Sequence, residues 1–132
     1  MLVCTKGPYK NFRYRAEVKI SDKGNSGLYF RTTRKSTFSD GYEAQIDSTH
    51  RDPIRTGSLY GFCHVYKRLV EPDTWFTYEI IAEGNRITLE VPVPDGVFRF
   101  DIALVGDHLK GDATRNAGNE SRTAKMDATR AR

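Results

Sequence analysis

Long hydrophobic runs are absent from the chain, and so is any leader of charged residues followed by apolar ones. A membrane-spanning helix needs about 18 or more consecutive apolar residues, so neither such a helix nor a signal peptide is predicted. Hydrophobic residues make up 38% of the 132 residues, a low share, and they form no helical stripe of useful length. The sequence therefore predicts a protein that is neither membrane-spanning nor helical.

Cysteine and charge of one sign are also scarce. Cys4 and Cys63 are the two cysteines, and neither lies in a CxxC pair or at a spacing typical of metal ligands. We expect two free thiols rather than a disulfide. The formal net charge is +4, and basic residues are scattered among acids through most of the chain. Because nucleic-acid-binding proteins concentrate positive charge on one patch, a nucleic-acid partner is not expected.

Short segments of alternating apolar and polar side chains are what the chain has in abundance. Residues 12–20 alternate in this way, as a half-buried antiparallel strand does. About eight or nine such segments separated by turn-forming residues predict an all-β antiparallel sandwich or barrel, in one domain over residues 1–132. We expect a hairpin over 74–91, a break at 92–96, and strands at 12–20, 26–31, 41–47, 59–66, 97–105, 108–115 and 121–130.

The predicted strand GYEAQID, residues 41–47, places Glu43, Gln45 and Asp47 on one face. Such a face is most often solvated, but it is also typical of the floor of a binding site. Glu43 and Asp47 would lie about 13 Å apart along the strand. That exceeds the separation of the two carboxylates in retaining and inverting glycosidases. A site here therefore needs one acid and a partner from another strand.

Four blocks together resemble the 3-keto-disaccharide hydrolase family: GNSGLYFR, GYEAQID, TGSLYGF and W-x-x-Y-E-I-x-A-x-G-N-R-I. Their order and rough spacing match over residues 2–91. The resemblance implies a concanavalin A-like jelly roll of two packed antiparallel sheets, and a periplasmic or secreted location. Residues 97–132 do not resemble the family's usual end. We therefore expect a truncated or composite sandwich with atypical closing strands, and open sheet edges that a homodimer would cover.

The resemblance also implies roles for particular residues. It places GYEAQID on the concave face, with Glu43 or His50 as general base and Arg31 as stabiliser of a developing oxyanion. The residues expected to bind a sugar substrate are Gln45, Asp47, Tyr60, His64 and Asn25. Each has a plainer interpretation: Arg31 as an exposed strand end, His50 as a loop histidine and Asn25 as a turn former.

The remaining aromatic and histidine residues are expected to be structural. Trp75 opens the hairpin over 74–91, and a large aromatic in a sandwich is usually part of the core. His108 follows a predicted Gly-Asp turn and carries no predicted role. A divalent cation such as Ca²⁺, held by Glu43, Asp47 and a histidine, remains an open alternative because those ligands are oxygen-rich.

Three functions from different classes fit the sequence. The first is an enzyme that cleaves a glycosidic bond of an oxidised sugar. A keto group acidifies the neighbouring C–H, so one base can drive elimination of the glycosidic oxygen, and water then adds. The second is a carbohydrate-binding module that uses the same groove without catalysis. The third is a structural or homodimeric β domain. Turnover separates the first two, and ligand binding separates both from the third.

Overall fold

The computed structural model describes residues 2–33 and 40–129, and within those ranges every regular element is a β-strand. No helix that could cross a membrane occurs in this part of the chain. The all-β prediction is therefore confirmed. In chain order the strands are β1 (Phe12–Val18), β2 (Asn25–Phe30), β3 (Tyr42–Asp47), β4 (Phe76–Glu83), β5 (Arg86–Val93), β6 (Gly96–Val105), β7 (His108–Ala117) and β8 (Glu120–Thr129).

The larger layer is a six-stranded antiparallel sheet in the order β1-β4-β5-β6-β7-β8. Strands β4 to β8 follow one another as hairpins, because Gly84, Gly106 and Gly118 have the positive φ angles that tight turns require. β1 pairs with β4, with Val18 opposite Phe76. All residues between β1 and β4 are therefore available to build the second layer.

The second layer begins with β2 and β3, paired from Asn25 opposite Asp47 to Phe30 opposite Tyr42. Residues 58–60 run along the other edge of β3. The Tyr60 N–H donates to the Glu43 carbonyl at 2.9 Å, and the Gln45 N–H donates to the Ser58 carbonyl at 3.0 Å. The predicted strand at 59–66 is wrong in extent: only this short stretch pairs, and the chain turns back at Gly61, with φ +77.

The core lies between the two layers and confirms the antiparallel sandwich. Apolar side chains from the small layer pack against the inward face of the large sheet, where alternate residues of each strand point. The buried side chains include Phe30, Ala44, Ile46 and Leu59 from the small layer and Tyr78, Ile80, Leu89, Val91, Phe100, Ile102 and Leu109 from the large sheet.

Two local predictions are wrong. The expected break at 92–96 is shorter, because β5 continues through Pro92 to Val93. The paired register of β4 and β5 stops at Glu90, so Pro92 has a paired neighbour only in β6, and its missing N–H breaks no ladder on the other side. Trp75 is 65% exposed rather than core, because it precedes β4 and its ring lies beneath the Lys19 ammonium at 5.7 Å.

The last three strands close the sandwich at the positions that the sequence predicts. β8 ends at Thr129, and Arg130, the last residue of the predicted strand, lies outside the described residues. His108 pairs with Asp127 at 2.7 Å on the surface. Both cysteines are free, as predicted, with Cys4 exposed and Cys63 buried.

We predict that Leu109→Ala lowers the free energy of unfolding by about 2–5 kcal/mol, the usual cost of a cavity in a core. Leu109 on β7 is fully buried, whereas Leu104 on β6 is 38% exposed in the same hairpin. Leu104→Ala is the matched control and should cost less than about 1 kcal/mol. Urea unfolding measures both changes. Equal costs would mean that the closing strands are not part of the core.

Candidate functional site

Three side chains form a row across the small layer. Tyr29 on β2 is directly opposite Glu43 on β3. Tyr60 lies opposite Glu43 on the other side, in the register set by the Ala44–Leu59 bridge. Directly opposite residues of antiparallel strands point to the same face, so the Glu43 carboxylate lies between two phenols. We call Tyr29, Glu43 and Tyr60 the acid row.

Gly27 allows the Glu43 side chain to lie across β2. A Cβ atom at Gly27 would overlap the Oε1 atom of Glu43. Only a residue without a side chain leaves this space free. Gly27, the second glycine of GNSG, is therefore needed within β2 for this position of the Glu43 side chain.

Burial and charge set the protonation of the acid row. Burial raises the pKa of Glu43, a hydrogen bond from Tyr29 partly opposes this, and the nearby Asp52 carboxylate raises it further. Burial and the bond to Glu43 raise the pKa of Tyr29 to about 12. The hydrogen bond to Asp52, followed by burial, raises the pKa of Tyr60. Both phenols therefore keep their protons at neutral pH and act as hydrogen-bond donors.

Asp52 is a site residue that the sequence reasoning missed. Its Oδ2 accepts a hydrogen bond from the Tyr60 hydroxyl at 3.0 Å, and its Oδ1 accepts one from the Ile54 N–H at 2.9 Å. The only signal in the sequence is an aspartate before a proline in a turn-rich loop. The site thus has a second carboxylate, which comes from the loop rather than from β3.

Tyr60 also begins a strip of rings that leads away from the acid row. The ring centroids of Tyr60 and His64 are 6.2 Å apart, and those of His64 and Tyr66 are 6.1 Å apart. The His64 Nε2 accepts a hydrogen bond from the Gly61 N–H at 3.1 Å, so the ring hydrogen of the neutral histidine is on Nδ1, 3.4 Å from the Tyr66 hydroxyl. We call Tyr60, His64 and Tyr66 the aromatic strip.

Gln45 and Asp47 lie beneath the loop of residues 48–58 and are each 1% exposed. The Asp47 Oδ1 accepts hydrogen bonds from the Arg55 guanidinium at 2.7 Å and from the His50 N–H at 3.0 Å. The Gln45 amide donates to the Ile54 carbonyl at 3.3 Å. The polar face of β3 is therefore neither solvated nor an open floor. Its two inner side chains hold the loop, and Glu43 is less deeply buried.

His50 and Asn25 lie at the Asp47 end of β3. The His50 Nδ1 accepts a hydrogen bond from the Asp52 N–H at 3.1 Å and lies 3.2 Å from the Asn25 amide nitrogen. In the neutral ring the hydrogen is therefore on Nε2. Asn25 is two residues from Gly27 along β2, where the Glu43 side chain crosses the strand. Among the described contacts, none joins Asn25 or His50 directly to Tyr29, Glu43 or Tyr60.

Arg31 is oriented towards the amino-terminal segment. Its guanidinium donates to the Lys10 carbonyl at 2.9 Å, and its backbone has φ +49. It lines a groove with Tyr9, Lys10, Asn11 and Gly84. Among the described contacts, none joins Arg31 to Glu43.

The donor atoms do not fit the cation that the sequence left open. Among residues 2–33 and 40–129, no group of three or more His, Cys, Asp or Glu side chains could hold a metal ion. Asp47, a ligand in that hypothesis, instead binds the Arg55 guanidinium, which already supplies the positive charge there. Glu43 is bonded to a phenol.

Comparison with known families matches residues 1–110 to the 3-keto-alpha-glucoside-1,2-lyase-like domain. The chain belongs to this family. The match includes the acid row, Asp52 and the aromatic strip, and it extends past Val91, through β6 and into β7. No curated protein and no solved structure matches the chain. Family membership, which the four sequence blocks predict, is thus confirmed.

We predict that Asp47→Ala lowers the free energy of unfolding by about 3–5 kcal/mol, because the partly buried Arg55 guanidinium loses its carboxylate and keeps only the His50 and Asp52 carbonyls. The exposed pair of Arg68 and Glu71, 3.2 Å apart, supplies the control. Glu71→Ala should change stability by less than about 0.5 kcal/mol. Urea unfolding followed by tryptophan fluorescence distinguishes the two, and a small effect of Asp47→Ala would contradict the holding role of this carboxylate.

We also predict that Glu43→Gln is more stable than the wild type at pH 7, and that its advantage shrinks towards pH 4. The pKa of Glu43 is raised above the usual 4.5, so between those two pKa values the folded state binds more protons than the unfolded state. Wild-type stability therefore falls as pH rises through this window, and glutamine removes that loss. Denaturant unfolding at a series of pH values tests this, with Glu83→Gln as the exposed control. A pH-independent difference for Glu43→Gln would be the contrary result.

Proposed function

We propose that this protein cleaves the glycosidic bond of a 3-keto sugar by elimination, with Glu43 as the general base. One observation carries the proposal. In a chain of the 3-keto-alpha-glucoside-1,2-lyase-like family, a half-buried carboxylate with a raised pKa lies between two phenols that keep their protons. This arrangement supplies one base and two neutral donors, which is what the chemistry needs.

The proposed cleavage consists of an elimination followed by the addition of water. The ketone at C3 acidifies the C2–H bond, and the base takes that proton onto a carboxylate oxygen. The electrons of the broken bond move towards the C3 oxygen as an enolate. When they return, the bond between C1 and the glycosidic oxygen breaks, and that oxygen leaves and takes up a proton. Water that adds at C1 of the resulting double bond, with a proton to C2, completes a net hydrolysis.

Glu43 suits the role of base better than the other acids and histidines. A carboxylate whose pKa is raised above the ordinary value is a stronger base than an ordinary one. Asp47 is beneath the loop and bound to Arg55. The Nδ1 of His50 already accepts a hydrogen bond, and the ring hydrogen is on Nε2. These two residues, with Gln45, then serve to hold the loop.

The two phenols have separate roles in the proposal. Tyr29 holds the Glu43 carboxylate by a hydrogen bond and so orients it. Tyr60 donates to Asp52 in this structure, and in the proposed reaction its hydroxyl donates instead to the enolate oxygen or to the leaving oxygen. Arg31, whose guanidinium binds the Lys10 carbonyl, is not needed for either step.

The aromatic strip supports a sugar ligand. Pyranose rings present C–H faces that pack on aromatic rings. The aromatic strip begins at Tyr60 in the acid row and continues through His64 to the exposed Tyr66. The same feature favours a second candidate, a carbohydrate-binding module without catalysis. Binding through the strip does not require Glu43, whereas cleavage does.

We predict that Glu43→Gln reduces cleavage of a 3-keto-disaccharide by about 10²-fold or more, because the proton at C2 loses its acceptor. NMR of the protein mixed with the sugar follows substrate and product directly, with and without EDTA. Tyr60→Phe should reduce cleavage by about 10²-fold through loss of one donor. Glu83→Gln, an exposed acid, should leave the rate unchanged.

The outcomes separate the candidates. Full activity of Glu43→Gln would refute the assignment of the base. Line broadening of the sugar without product, abolished by Tyr66→Ala and unaffected by Glu43→Gln, would favour the binding module. No change in the sugar spectrum with the wild-type protein would leave neither candidate standing.

A further inference from the structure

β8 is an edge strand with one side unpaired. Its residues Glu120–Thr129 pair with β7 along the whole length, and no strand in the described part of the chain lies on the other side. The backbone donors and acceptors that this ten-residue strand directs to its outer side form a template for another strand. Natural proteins usually shorten, bend or cover such an edge.

Seven of the ten residues of β8 form a self-complementary stretch. Residues 123–129 read TAKMDAT, which is symmetric about Met126 if Lys and Asp count as partners. When two copies of this stretch run antiparallel with Met126 opposite Met126, each threonine faces a threonine and each alanine an alanine. Each Lys125 then faces an Asp127, twice in the same interface. Opposite charges directly across a strand pair are stabilising.

We propose that two copies of this chain associate edge to edge through β8, antiparallel and centred on Met126. The two six-stranded sheets then form one continuous sheet across a two-fold axis.

The charges on the outer face of the sheet support this register. Within one chain the Lys125 ammonium lies 2.8 Å from the Asp112 carboxylate, and the Lys110 ammonium lies 3.1 Å from the Asp127 carboxylate. Pairing about Met126 extends each pair across the axis. Asp112 and Lys125 are followed by the partner's Asp127 and the partner's Lys110, so the charge alternates across four strands. No like charges become neighbours in the row.

The side chains on the inner face of the large sheet also support the register centred on Met126. On that face Leu109 is opposite Ala128, Gly111 opposite Met126, and Ala113 opposite Ala124. Met126 and Ala128 are partly buried and pack against the core, whereas Ala124 is exposed. Residues opposite each other in the proposed pair share a face. The apolar strip at the edge of one copy therefore continues into that of the other.

Other registers of two antiparallel β8 strands place like charges opposite each other or leave the charges without an opposite partner. Centring on Lys125 places two lysines opposite each other, and centring on Asp127 does the same with two aspartates. Centring on Ala124 leaves Lys125 against Thr123 and Asp127 against Ser121. A sequence that is symmetric about Met126 suits pairing with a second copy across a two-fold axis. Pairing with an unrelated strand would not require this symmetry.

Charge exchange tests the register in solution. Sedimentation should give twice the monomer mass of 15.0 kDa for the wild type as concentration rises. Lys125→Asp and Asp127→Lys should each be monomeric, because each places four like charges at the axis. An equimolar mixture of the two variants should restore the doubled mass, since every residue of one then faces its opposite in the other. Thermal melts of each variant control for folding.

A cysteine at the axis gives an independent test. Opposite residues in an antiparallel pair have Cα atoms about 4.5–5.5 Å apart, which is within disulfide range. In a Cys4→Ser background, Met126→Cys should form a covalent dimer under mild oxidation with copper phenanthroline. Ala124→Cys is the matched control, because its two copies would be about 13 Å apart along the strand and should not cross-link.

Each result is decisive. A wild type that stays monomeric up to millimolar concentration overturns the proposal. Variants that dimerise as the wild type does, or cross-linking as efficient at Ala124→Cys as at Met126→Cys, place any dimer interface elsewhere or in another register. Restored mass in the mixture together with selective cross-linking at position 126 supports it.

Discussion

The buried ion pair between Asp47 and Arg55 is the contact that fixes the loop of residues 48–58 over the small layer. A carboxylate taken out of water is costly unless it is paired, and the Asp47 Oδ1 accepts hydrogen bonds from a guanidinium and a backbone N–H of the same loop. That loop carries Asp52 and leads directly into Tyr60. The positions of Asp52 and Tyr60, which are hydrogen-bonded to each other, are therefore set by the Asp47 carboxylate beneath the loop. The polar face of β3 thus has two uses: its inner end holds the loop, and its outer end presents Glu43.

Much of the large sheet is predictable from sequence because consecutive strands pair with each other, so the residues that specify each pair lie close together in the chain. A turn glycine and alternating side chains on either side of it predict the β4–β5, β6–β7 and β7–β8 hairpins, whereas the β5–β6 hairpin forms where a break was expected. The small layer is different. Residues 58–60 pair with β3 through two backbone hydrogen bonds, and no periodicity in so short a stretch separates it from a loop. Trp75 was misplaced because one position at a strand end decides whether a side chain enters the core.

The candidate site was predictable in part. GYEAQID identified Glu43, and the resemblance identified the family. Tyr29 and Asp52 required the register of β2 on β3 and the path of a loop, neither of which a single sequence specifies. The resemblance implies roles for Arg31 and His50, and in this structure the backbone carbonyl of Lys10 and the N–H of Asp52 are among their partners. Gly27 was not predicted to be part of the site, yet its lack of a side chain leaves space for the Glu43 side chain.

The pairing of β1 with β4 has a kinetic consequence. Hairpins from β4 to β8 close short loops, so their loss of chain entropy is small and they form early. β1 pairs with β4 only after the chain from Val18 to Phe76 has been closed into one long loop, and every residue of the acid row and the aromatic strip lies within that loop. The partners in β1 and β4 lie farther apart in the chain than those of β2 and β3, so this pairing has the higher contact order. The last strand pair to form is therefore the one that encloses the small layer.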